Sequence, residues 1–143
     1  MAERGRGIVH LVKVCVGVER VEQLVEWQAM RLADTGRLVH VTRHRPKRAD
    51  AVLAGGSLYW IIAGAVRVRQ RIVALDEVQT ETGMQCGLVF APELVRTEPW
   101  PRGPHQGWRY LEAKDAPPDL PAAGLDAALP EDLRAQLRDL GLR

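Results

Sequence analysis

Residues Ser57–Val78 read SLYWIIAGAVRVRQRIVALDEV, and two strand signatures stand next to each other in them. Ser57–Ala63 (SLYWIIA) is apolar at nearly every position, the pattern of a central strand covered on both faces. Gly64 supplies a turn. Val66–Val78 then alternates with a period of two. Val66, Val68, Ile72, Ala74 and Val78 fall on one face, and Arg67, Arg69, Arg71 and Glu77 on the other. Val73 and Leu75 interrupt the polar face midway, which predicts that the strand bends or passes from one layer to another.

Upstream, Ile8–Val16 (IVHLVKVCV) is β-branched and almost continuously apolar, so it reads as another buried strand ended by Gly17. Glu19–Asp34 carries Val21, Leu24, Val25, Ala29 and Leu32 at helical spacing, with Gly36 as its stop. Arg37–Arg43 reads as a strand that places Leu38, His40 and Thr42 on one face. Lys47–Ala54 reads as a short helix ended by Gly55–Gly56. Downstream, Thr80–Gln85 makes a hairpin turn, and Cys86–Phe90 and Leu94–Glu98 are short strands on either side of Pro92. Pro99–Pro104 reads as a rigid loop and Trp108–Leu111 as a last strand or docked segment. Residues 115–143 read as a Pro-rich tail closed by a helix with Leu133, Leu137 and Leu140 on one stripe. Helices come early and strands cluster after them, which predicts an α+β domain. Its centre is a small mixed or antiparallel sheet or β-barrel with short helices packed on it.

With 143 residues, 46% hydrophobic and 27% charged, the chain has the size and balance of one globular domain, with residues 1–7 as a flexible start. No segment approaches the roughly 20 apolar residues of a membrane span. The basic N-terminus lacks the pattern of a secretory signal, so a cytoplasmic location and no membrane partner are expected. Cys15 and Cys86 have no metal-type spacing and read as buried thiols in a reducing compartment. His40 and His44 are four apart, but in a strand running into a loop, with no Cys or carboxylate to complete a ligand set. Neither a metal nor another cofactor is expected.

The net charge of +2 conceals an asymmetry: residues 1–72 carry a net +7 and residues 73–143 a net −5. The basic half suits a polyanion, and the alternative is that the two halves pair with each other. The densest cationic run is Arg43-His44-Arg45-Pro46-Lys47-Arg48, at the exit of a strand and the entry of a helix, where free N–H groups and cations favour phosphate. Arg43, Lys47 and Arg48 are the candidate phosphate contacts. Tyr59 and Trp60 are adjacent and point to opposite faces of their strand. Trp60, Trp108 and Arg109 are the candidate stacking or pocket-wall residues, because a flat π surface beside a cation is what base stacking needs. No phosphate loop, dinucleotide fingerprint or hydrolase elbow is present.

The stretches LVKVCVGVE, LVHVTRHRPKRAD, GGSLYWIIAG, VRVRQRIVALDEV, PELV and QGWRYLEAKDAPPDL resemble a small bacterial family known only as a domain of unknown function. More loosely, Arg48–Pro99 resembles the core of PUA-like domains of the ASCH and EVE types. That resemblance implies a small β-barrel with helices at its ends and a cleft that reads RNA or a modified base. The ASCH signature of Gly-x-Lys is replaced after Gly55–Gly56 by Ser57-Leu58-Tyr59-Trp60. The expected function is therefore binding of RNA, DNA or a modified nucleobase, by a monomer or homodimer. The alternatives are a small hydrolase or amidohydrolase on nucleoside-like substrates, using Lys47, His44 or Glu77, and a dimerising interaction module.

Overall fold

A computed structural model describes residues 7–121. In chain order the elements are β1 (Val9–Val14), α1 (Val21–Thr35), β2 (Leu38–Thr42), α2 (Ala49–Leu53), β3 (Ser57–Ile62), β4 (Ala65–Thr80), β5 (Gly83–Phe90), β6 (Val95–Pro101) and β7 (Arg109–Glu112). The chain is mixed α+β, dominated by one seven-stranded sheet of order β2-β5-β4-β3-β1-β7 with β6 paired to β4 off that path. All strand pairs are antiparallel except β1 with β3, where Lys13 lies beside Trp60. The Pro-rich tail and final helix expected at 115–143 lie outside the described residues from 122 onward.

The hairpin of the opening stretch turns through Ala63 and Gly64, both left-handed (φ 54° and 79°), the conformation that a two-residue hairpin loop requires. β3 is buried at all six positions. Its odd–even alternation sends Tyr59 and Trp60 to opposite faces, as expected. Trp60 joins the main core with Leu11, Leu58, Val68 and Leu88, and Tyr59 joins a smaller cluster with Val12, Val66 and Leu111. β1 likewise feeds both clusters, which accounts for its unbroken apolar run.

The predicted bend in β4 is a register shift between Ile72 and Ala74. Up to Ile72 the even residues are buried, and after the shift Leu75 packs against the main core instead. The first half of β4 pairs with β3 on one edge and β6 on the other; the second half pairs with β5. β5 and β6 thus follow each other along one edge of β4, with the turn at Ala91–Leu94 between them.

Three local expectations are corrected. Pro99–Pro101 is strand rather than loop: Pro101 pairs with Ala65 and Trp100 with Val66, on an edge where a proline removes no ladder bond. The inward stripe of α1 is Val21, Leu24 and Gln28, while Val25, Ala29 and Leu32 face outward. The helix is rotated because Gln28 exchanges two amide hydrogen bonds with the fully buried Gln70 of β4, at 2.9 and 2.7 Å. Gln70 also accepts from the Trp60 indole N–H and donates to the Ala91 carbonyl, so every polar group of this buried cluster has a partner.

The third correction concerns closure: the sheet is open. Its end strands β2 and β7 do not pair among the described residues, so a closed barrel is not shown. Side chains nevertheless bring the ends together. The Trp108 indole N–H donates to the His44 carbonyl at 3.0 Å, and the Arg48 backbone N–H donates to the Tyr110 hydroxyl at 3.0 Å. Trp108 and Tyr110 pack edge to face beside this junction.

Candidate functional site

Two surfaces lie along the open seam between β2 and the β1–β7 edge. The first is the loop from Arg43 to Arg48. It is anchored by the buried ring of Pro46, by the Thr42 hydroxyl donating to the His44 carbonyl, and by the hydrogen bonds of Trp108 and Tyr110. Arg43 and Lys47 are exposed and make no ion pair with a described residue. Arg48 stacks on Tyr110 and pairs with Glu112 at 2.7 Å, and this pairing holds the Glu112 carboxyl below the usual range. Three of the ion pairs, Arg37–Asp76, Arg48–Glu112 and Arg69–Asp119, join the basic first half of the sequence to the acidic second half. The charge asymmetry is thus partly neutralised within the domain, and Arg43 and Lys47 of the forties loop are among the cations left without a described counter-ion.

The expected phosphate site at a helix start needs correction. The helix that follows the loop, α2, is only five residues long, carries Asp50 in its first turn, and is preceded by an Arg48 N–H already given to Tyr110. The loop cations, and not a helix terminus, are what this surface offers an anion.

The second surface is a pocket of about 360 Å³ where β1, β2 and α1 meet. Trp60 and His40 line it together with Lys13 and Cys15 of the β1 end, and Trp27 of α1 forms a half-exposed wall. His40 and Trp60 are in edge-to-face contact with centroids 5.5 Å apart. Burial, helped by the Lys13 charge, pushes the His40 pKa down to about 4, so its ring is neutral at physiological pH. Its Nε2 is buried without a hydrogen-bond partner. Burial pushes the Cys15 thiol up to about 11, which keeps it protonated and poorly nucleophilic.

The six residues singled out from sequence therefore separate. Arg43, Lys47, Arg48 and Trp108 belong to the loop surface. Trp60 is only 4% exposed and meets the pocket at its edge. Arg109 is exposed, donates to the Gln106 carbonyl, and faces away from Trp108 along β7. Sequence reasoning misses Tyr110, Glu112, Lys13, Trp27 and Gln70. Tyr110 is within its reach, since it stands two residues from Trp108 and shares its face; Lys13 and Trp27 give no local signal. Of the hydrolase candidates, Lys47, His44 and Glu77 share no hydrogen bond among the described residues, and Glu77 lies on β4 opposite Cys86. Cys15 and Cys86 are free and buried, as expected. Among the described residues no group of three or more His, Cys, Asp or Glu could hold a metal ion, and no helix is long and apolar enough to cross a membrane.

No curated protein and no solved structure matches this chain. A family model does, over residues 11–143, and the chain belongs to that family, described as Protein of unknown function (DUF1489).

Proposed function

We propose that this chain binds single-stranded RNA or DNA, or a modified base within it, on the surface made by the forties loop and Trp108. In this reading the curled sheet is an incompletely closed barrel of PUA-like architecture, and the open seam is its cleft. The observation that carries the reading is the hydrogen bond from the Trp108 indole to the His44 carbonyl. It fixes a partly exposed aromatic ring beside Arg43 and Lys47, whose charges have no described counter-ion. A cation pair can contact successive phosphates while the indole offers a stacking face to an unpaired base. The Arg48–Glu112 pair and the Tyr110 hydroxyl keep the loop backbone in place, so less ordering is required on binding.

The test is the salt dependence of binding to labelled oligouridine and oligothymidine, followed by fluorescence anisotropy. Arg43→Ala/Lys47→Ala is expected to lower the slope of log affinity against log salt by roughly 1.4, about 0.7 for each single-strand phosphate left without its cation. An unchanged slope in that variant, or no binding by the unaltered protein at low salt, contradicts the reading.

A further inference from the structure

The nucleic-acid reading uses the loop and leaves the pocket at the β1–β2–α1 junction without a role. Its dimensions place it at the small end of ligand cavities, the size of a one- or two-ring molecule rather than a peptide. The half-exposed Trp27 indole gives it a flat apolar wall, to which the nearly buried Trp60 adds only an edge. The Arg31 guanidinium already covers the Trp27 ring at 4.7 Å, and Lys13 reaches the same space, so a cationic guest would meet repulsion. Lys13 makes no ion pair with a described residue. Gln23, also on the wall, has its side-chain oxygen committed to the backbone N–H groups of Glu19 and Arg20 ahead of α1. The charged group on this wall that has no ion-pair partner among the described residues is therefore the Lys13 ammonium.

We propose that this pocket is a binding site for a small planar aromatic anion, such as an aromatic carboxylate. Its ring lies against the Trp27 indole, and its charged edge is held by Lys13. The occupant is a free small molecule. The site is distinct from the forties loop, so either surface can bind without the other.

The experiment is calorimetric titration of the full chain with 2-naphthoate, with its uncharged isostere 2-naphthamide, and with the cationic 2-naphthylmethylammonium. The carboxylate is expected to bind saturably, about tenfold or more tighter than the amide, and the cation not at all. Lys13→Met is expected to bring the carboxylate down to the affinity of the amide while leaving amide binding unchanged, which also shows that the variant is folded. Trp27→Ala, at a half-exposed position, is expected to weaken carboxylate and amide alike. Arg43→Ala/Lys47→Ala is expected to leave all three titrations unchanged, which separates this proposal from the loop reading. The proposal is overturned if 2-naphthoate shows no saturation up to about 1 mM. Equal affinity for acid and amide, or a Lys13→Met variant that discriminates as the unaltered protein does, overturns it equally.

Discussion

Gly56→Ala is expected to destabilise the fold by about 3 kcal/mol or more, or to prevent soluble expression altogether. Gly56 lies where α2, β1 and β4 converge. Its N–H donates to the Val52 carbonyl at 2.8 Å, and its carbonyl accepts from the Ile72 N–H at 3.0 Å. A Cβ at this position would stand 2.3 Å from the Val9 carbonyl oxygen and 2.7 Å from that of Val52. Both obstacles are backbone, held in β1 and α2, so no side-chain rotation relieves the overlap. Relief requires moving α2 away from β1, which uncovers the fully buried Val52 and Val9. Urea denaturation measures the effect, with Gly103→Ala as the control, since nothing lies within 4 Å of a Cβ there. A Gly56→Ala variant within about 0.5 kcal/mol of the control would show that the junction yields more readily than its distances imply.

Gln70→Leu is expected to cost roughly 2–4 kcal/mol, although leucine suits a buried strand position. The substitution strips partners from the Gln28 amide, the Trp60 indole N–H and the Ala91 carbonyl in one step. Groups left unpaired in the interior keep their desolvation cost, and that cost dominates over the apolar gain. Gln28→Leu combined with Gln70→Leu is expected to be less damaging than the sum of the single changes by at least about 1 kcal/mol, because the two amides no longer strand each other. A double-mutant cycle in urea reads the coupling. Additive losses would mean that the amide pair does not act as a unit.

These two features differ sharply in how visible they are in the sequence. The Gly55–Gly56 pair is legible as the end of a short helix, but the close approach of β1 that forbids a side chain is not. That approach comes from the parallel pairing of β1 with β3, whose residues lie more than 40 positions apart. The alternation in β4 and the doubly buried β3 are legible because each strand's environment is written in its own period. The bend is legible too, since a register shift swaps which residues face the core, and Val73 and Leu75 carry that swap. The orientation of α1 is not. Val25, Ala29 and Leu32 make as good an apolar stripe as the true one, and the deciding residue is a polar one, Gln28, whose partner is 42 positions away.

The candidate site divides in the same way. The forties loop announces itself as a charge run, and Trp108 as an aromatic in a Pro- and Gly-rich stretch. Their meeting through the His44 carbonyl depends on the sheet curling until its two ends face each other, which no local pattern records. Trp60 is the right residue type for a pocket wall but belongs mainly to the core, where its indole N–H serves Gln70. The pocket beside it draws on β1, α1 and β2, and its orphaned histidine nitrogen becomes apparent only once those elements are assembled.

Everything claimed for nucleic acid rests on the loop cations and the Trp108 ring facing one bound strand. Ultraviolet crosslinking of oligouridine to the full chain, followed by mass-spectrometric mapping of the adducts, addresses that directly. Adducts concentrated on peptides containing Trp108 and residues 43–48, and abolished by Arg43→Ala/Lys47→Ala, are the predicted result. Adducts placed instead on the β4–β5 hairpin or the outer face of α1, and indifferent to those substitutions, would contradict it.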